Sequence, residues 1–187
     1  MLYTIKPEEP WNPQFHWIVD LAAAADEINA PHEDYPVRND ATSEIIFEYV
    51  SKLLLEPKLI ITLDDIFTIH KYIMSTSGVL ENGEIIYPLS DDNLGAYRSV
   101  TVRVGNHIPI SPRFISAEME KILPLEINVK DFNNISTIEK VLKAWYIEFE
   151  TIHPFVDGNG RVGGAIVAII SKVLYKTAYL TPKRYAI

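Results

Sequence analysis

Nine consecutive residues, His153-Pro154-Phe155-Val156-Asp157-Gly158-Asn159-Gly160-Arg161, gather most of the chemistry this chain can offer. Pro154 ends the helical pattern before it, and Gly158 and Gly160 permit backbone conformations that other residues avoid. An apolar helix follows at once. The loop therefore opens a helix N-terminus, where backbone N–H groups and the positive end of the dipole attract an anion. Arg161 adds a charged fork suited to phosphate. Asp157 offers an oxygen ligand to a hard cation such as Mg²⁺. His153, at the end of the preceding helix, has the side chain of a general base. Taken singly, each residue has a plainer use: Asp-Gly and Asn-Gly form turns, and a histidine near a helix end is commonly structural. Their convergence in one loop is what points to a site.

Two helices must hold that loop. Before it, Ile138, Val141, Leu142, Trp145, Tyr146, Phe149 and Ile152 recur at i, i+3, i+4, with Ser136 and Glu139 placed as a capping box. After it, Arg161 to Tyr175 is apolar on most sides, which predicts a central, buried helix. Upstream, Ile45, Ile46, Tyr49, Val50 and Leu53 give another helical stripe, capped by Asp40 or Thr42 and ended at Pro57. Thr62 with Asp65 caps a helix bearing Ile66, Ile69, His70 and Ile73. Phe114 to Leu123 also has helical spacing.

Between these lie two β-like stretches. Val79 to Ile86 alternates around Asn82-Gly83, the pattern of a two-residue hairpin. Val100, Val102 and Val104 alternate with Thr101 and Arg103, and Ile108 and Ile110 follow Gly105-Asn106, which predicts a small exposed flap over 99–110. Residues 1–39 read as an N-terminal extension with one helix from Trp17 to Asn29, and 40–187 as one compact domain. The fold class is mainly α with a small β-hairpin flap.

Composition narrows the function. The chain has 187 residues, 48% of them hydrophobic, enough for a packed core. With no cysteine there is no disulfide, thiolate metal site or cysteine nucleophile. A net charge of −8 speaks against general nucleic-acid binding, which needs basic surface, but leaves room for a nucleotide in a local cationic pocket. The longest apolar run, Ala165 to Val173, is interrupted by Ser171 and Lys172 and falls short of the roughly 18–20 residues that cross a bilayer. Met1 to Pro10 lacks the pattern of a signal peptide. No membrane association and a cytoplasmic location are expected, with export by a route that uses no cleaved signal left open.

The loop resembles the signature of the Fic family, His-x-Phe-x-Asp/Glu-Gly-Asn-Gly-Arg-x-x-Arg, through His153, Phe155, Asp157, Gly158, Asn159, Gly160 and Arg161. Gly95-Ala96-Tyr97-Arg98, the valines that follow, Pro109 and Pro112 are similar to the family's flap region, and Ile69-His70 to a pair in its preceding helix. The resemblance covers about residues 43–175. It implies a Fic-type helical bundle that transfers AMP from ATP to a hydroxyl side chain of a target protein. By resemblance His153 is the general base and Asp157 holds Mg²⁺ against the phosphates. Gly158, Asn159, Gly160 and Arg161 then bind the nucleotide. The flap, through Val100, Thr101, Val102, Arg103 and Val104, registers the target's backbone beside the site.

One position departs from the signature. Gly164, preceded by Gly163, stands where the family has its second arginine, which commonly binds the γ-phosphate. A lost charge-assisted contact weakens binding by about 1.5–3 kcal/mol. Three readings stay open: close helix packing, a different nucleotide or phosphate-containing donor, or an impaired module that only binds nucleotide or a partner. No inhibitory Ser/Thr-x-x-x-Glu-Gly/Asn segment is convincing, since Glu48 is followed by Tyr49 and preceded by Glu44, so Glu48 reads as a solvated face. An antitoxin-like regulator stays open. His70 reads as a core histidine, His107 as a flap-turn residue facing substrate or water, and Tyr185 as a neighbour of the base ring. Trp11, Trp17 and Trp145 read as packing residues.

Overall fold

In the computed structural model, which describes residues 17–18, 41–55, 59–76, 79–81, 84–86, 89–104, 106–127, 135–175 and 178–179, the apolar stripes of the sequence become five helices. Helix α1 is Ala41–Leu54, α2 Leu63–Thr76, α3 Ile115–Ile122, α4 Ile135–Ile152 and α5 Asn159–Tyr175. The fold is mainly helical, as expected.

Helix α5 is the centre. Val162 and Ala165 to Ile170 are all fully buried, and α1, α2 and α4 pack around it. Each buried Ile or Val contributes about 1.5–3 kcal/mol of transfer free energy, so this helix is where the core is densest. The predicted stripe of α1 (Ile45, Ile46, Tyr49, Val50 and Leu53) is buried, and Glu48 is exposed beside it. Trp145 is fully buried and stacks on Phe149 at 5.1 Å. Among the described residues no helix is long and apolar enough to cross a membrane.

The start of α2 follows its capping residues. The Asp65 N–H donates to Thr62 Oγ1 at 3.2 Å, and the Thr62 N–H and hydroxyl donate to Asp65 Oδ2 at 2.8 and 2.7 Å. Burial would raise the Asp65 pKa, but the hydrogen bonds from Thr62 and Lys52 outweigh it and hold the carboxyl below its usual range. Helix α4 begins at Ile135, which puts Ser136 inside the first turn instead of at the cap, and the Ser136 and Glu139 side chains lie outside the described residues. So does Asp40, and Thr42 falls inside α1.

Among the described residues the β-structure is three small antiparallel pairs. Strands β3 (Val79–Glu81) and β4 (Glu84–Ile86) form the hairpin that Asn82-Gly83 predicts, with Glu81 opposite Glu84. Strand β2 (Leu59–Ile61) pairs with β5 (Leu125–Ile127), a match between distant three-residue pieces too short to carry a period. Strand β1 (Trp17–Ile18) pairs with β6 (Ala178–Tyr179). The helix expected from Trp17 onward is therefore corrected at its first two residues, because pairing with a distant strand overrides the local pattern. Residues 19–40, Trp11 and Tyr185 lie outside the described residues.

A second correction concerns the flap. Val100 to Val104 form no strand; the segment's one bridge pairs Val104 with His107. The carbonyls of Val100 and Ile110, which a ladder would pair, instead accept hydrogen bonds from Arg98 at 2.9 and 2.6 Å. Val100 is also about half exposed, so the alternating valines have no apolar layer to cover.

Gly163 settles one of the open readings for the glycine pair. A Cβ there would lie 2.7 Å from Tyr146 Cε2 and 3.3 Å from Phe149 Cδ1, so α4 and α5 approach too closely for a side chain. Gly164 is buried on the same helix. An exposed helical Gly→Ala change gains about 0.5–1 kcal/mol. Gly163→Ala is expected to do the opposite, lowering stability by about 1–3 kcal/mol through overpacking. Urea denaturation midpoints decide between the two signs.

Candidate active site

Helices α4 and α5 are joined by six residues, 153–158, that reverse the chain between two buried elements. His153 takes the left-handed region at φ 51°, where non-glycine residues are uncommon, and Gly158 does so at φ 81°. A Cβ on Gly158 would meet Met74 Sδ at 2.5 Å, a contact the flexible methionine can relieve, so it is the backbone conformation that calls for glycine. Phe155 is driven inward and stacks on the His70 ring at 3.8 Å between centroids. The Asn159 side chain closes the turn. Its Oδ1 accepts from the Phe155 N–H at 2.9 Å and its Nδ2 donates to the Phe155 carbonyl at 3.0 Å, with only 2% of the residue exposed. The expected anion-binding side chain of Asn159 is thus committed to holding the loop.

His70 braces the loop from α2. Its Nδ1 accepts from the Gly95 N–H at 2.9 Å, which leaves Nε2–H to donate to the Asp157 carbonyl at 3.0 Å. Burial pushes its pKa down to about 4, so the ring is neutral, as this two-sided bonding needs. The core-histidine reading holds.

Arg98 braces it from the other side. Its Nε donates to the His153 carbonyl at 2.7 Å and Nη2 to the Ile152 carbonyl at 3.3 Å, while its backbone N–H donates to Pro154 at 2.9 Å. A cation at the C-terminal end of α4 meets carbonyls that the helix leaves unbonded. In the sequence Arg98 stands out only as part of the Gly95-Ala96-Tyr97-Arg98 resemblance, with no role attached to it. Its signal was a charged residue followed immediately by an alternating apolar run. His107, expected to face substrate or water, instead bonds the Thr151 carbonyl through Nε2 at 3.2 Å.

The residues of the loop present their chemistry at one place. His153 is 8% exposed, and Glu150 Oε2 lies 3.7 Å from its Nδ1. Burial, then the nearby Arg98 and His107, pushes the imidazole down to about 4, so it is a free base at neutral pH. Glu150, buried one turn before His153, was not singled out from sequence, although its i, i+3 spacing is the available signal. Asp157 accepts from the Gly158 N–H through Oδ1 at 2.6 Å, and its Oδ2 lies 3.4 Å from Arg161 Nη2. The first helical bond of α5 runs from the Val162 N–H to the Gly158 carbonyl. A Cβ on Gly160 would meet nothing within 4 Å, so the space above that helix end is open. Asp157 and Arg161 thus lie side by side at the start of α5, one short loop from a buried His153, and these are residue types that phosphate chemistry uses.

A family model described as the Fic/DOC family matches residues 60–171, which take in α2, the Arg98 segment, the loop and most of α5. This chain belongs to the Fic/DOC family. Its relatives include the protein adenylyltransferase Fic of Nematostella vectensis, 30% identical over 123 residues that cover 66% of this chain and 26% of that protein. The protein of the same name in Drosophila mojavensis is 30% identical over 118 residues, 63% of this chain and 20% of its own length. Protein adenylyltransferase fic-1 of Caenorhabditis elegans is 28% identical over 110 residues, 59% of this chain and 19% of its own. The match thus spans 19–26% of the length of these relatives.

Within this Fic/DOC domain, His153, Asp157, Gly158, Gly160 and Arg161 are brought together, and Asn159 lies beneath them as the loop's closure. The Val100–Val104 segment is adjoined to the same place through Arg98. Among the described residues no three His, Cys, Asp or Glu side chains form a metal-binding group. Removing the Asn159 amide would strand the buried Phe155 N–H and carbonyl. Asn159→Ala is therefore expected to lower stability by about 1–3 kcal/mol, read by urea denaturation, and an unchanged midpoint would contradict the closure described.

Proposed function

We propose that this chain is a protein adenylyltransferase that transfers AMP from ATP to a hydroxyl side chain (Ser, Thr or Tyr) of a target protein. The observation that carries the reading is a buried, uncharged His153 held beside Asp157, Arg161 and the open N-terminus of α5. The names of its relatives support the same chemistry. With Nδ1–H directed toward Glu150, the other ring nitrogen takes the proton of the target hydroxyl. The hydroxyl oxygen bonds to the α-phosphorus as the bond from that phosphorus to the bridging oxygen breaks, and pyrophosphate leaves. The α5 N–H groups and Arg161 stabilise the charge spread over the phosphate oxygens and the leaving group.

Mg²⁺ fits this site. It is usually held by one or two carboxylates together with substrate phosphates and water, so a single partly exposed Asp157 suffices. Bound there, it would neutralise phosphate charge. The Val100–Val104 segment, anchored beside His153, positions the target's backbone.

A second reading rests on Gly164. With glycine in place of the second arginine, the site has one fewer cation for a triphosphate, which favours another nucleotide or phosphate-containing donor, or a module that binds without transfer. Labelling with α-labelled ATP, GTP, CTP and UTP in lysate with Mg²⁺ distinguishes these. Protein label from ATP that vanishes with His153→Ala is the expected result. Label from another nucleotide moves the donor, and no label from any of them supports the binding module.

The pH dependence follows from the buried base. A histidine with a lowered pKa keeps its free-base form down to about 4. The kcat/KM for the target is therefore expected to stay flat through the ordinary histidine range near about 6.5 and to fall only on approaching pH 4. An acid limb centred near 6.5 would contradict the His153 environment described.

A further inference from the structure

We propose that Arg98 is a positioning residue that fuses the 100–110 segment and the His153 loop into one rigid unit. Arg98 is only 2% exposed, and all four of its side-chain hydrogen bonds go to carbonyl oxygens. Two of these, Ile152 and His153, belong to the end of α4; the other two, Val100 and Ile110, are the two ends of the flap segment. One planar group therefore pins both stems of the flap to the backbone of the residue that carries the base. The Arg98 N–H adds a fifth bond, to Pro154 at 2.9 Å. The far end of the segment is tied to the same helix, because His107 closes a bridge with Val104 and bonds Thr151 through its ring.

The geometry requires arginine. The four acceptors lie in different directions around a planar fork, and a lysine ammonium is a single point charge that cannot reach them together. His153 needs the support because its φ of 51° is one that residues with a Cβ rarely adopt. With its carbonyl held by Arg98 and its N–H donating to Phe149 at 2.9 Å, the backbone of His153 is fixed on both sides. On the adenylyltransferase reading, on which the catalytic part of this inference rests, the consequence is specific. A target backbone laid along the flap is automatically in register with the base, while the nucleotide, held by residues 157–161, is positioned independently.

Amide hydrogen exchange and steady-state kinetics of wild type and Arg98→Lys test this. The Val104 and His107 amides, which bond each other's carbonyls at 2.9 Å, are expected to exchange about ten- to a hundred-fold faster in Arg98→Lys, with α1 and α5 amides unchanged. In the transfer assay the variant is expected to lose kcat and raise KM for the target while KM for ATP stays at the wild-type value. Wild-type exchange rates or wild-type kcat in Arg98→Lys would overturn the proposal, since charge alone would then suffice. A uniform rise in exchange across all helices would also overturn it, by making Arg98 a general stability element. Should the variant not fold, native-state exchange of the wild type in increasing denaturant decides. The Val104, His107 and His153 amides opening in one step supports the unit, and separate openings refute it. If the wild type transfers nothing, the adenylyltransferase reading fails, and the exchange measurements still judge Arg98.

Discussion

Between α4 and α5 the chain has to turn inside the protein without stranding buried backbone groups, and everything at the site follows from how it does so. The amide of Asn159 satisfies both the N–H and the carbonyl of Phe155, which fixes a turn of five residues with no backbone ladder to help. That closure drives Phe155 into the core against His70, tips Gly158 into the left-handed region and leaves Gly160 at an open helix end. Asp157 and Arg161, one helical turn apart, then emerge on the same side. The loop is held because its polar groups bond within it, Asn159 to the Phe155 backbone and Asp157 to the Gly158 N–H.

Around this turn lies a second set of contacts that reach in from the segment before α3. Neutral His70 links the Gly95 backbone to the Asp157 backbone, and Arg98 links the backbones of Ile152 and His153 to both stems of the flap. Both side chains act on backbone atoms, so they set where the loop is. The same burial that makes these bonds strong also keeps both histidines uncharged. Desolvation is the largest cause of the lowered His153 pKa, and the Arg98 charge adds to it.

Membership of the Fic/DOC family brings the two glycines after Arg161 into focus. Gly163 is explained by packing, since the Tyr146 and Phe149 rings occupy the space a side chain would need. Gly164 is buried on the same helix but removes a cation from the family signature. Helix α5 thus gains close contact with α4 and carries one arginine, Arg161, in its first turn.

Much was legible in the sequence because it depends on short range. Helical spacing marks α1, α2, α4 and α5, the Thr62–Asp65 pair marks where α2 starts, and Asn82-Gly83 marks the hairpin between β3 and β4. The nine residues from His153 to Arg161 mark the candidate site because a glycine-bearing turn ahead of an apolar helix there gathers a histidine, an aspartate and an arginine. What only the tertiary structure decided is where hydrogen bonds between distant residues go. Trp17–Ile18 became a strand, and Leu59–Ile61 found Leu125–Ile127, because each had a partner far along the chain. The valines of the flap alternate like a strand, yet Arg98 takes the carbonyls that a ladder would use. Asn159 turned inward and His107 toward the Thr151 carbonyl for the same reason. Residue type determines what a side chain can donate or accept, but which acceptor lies within about 3 Å is a property of the assembled fold.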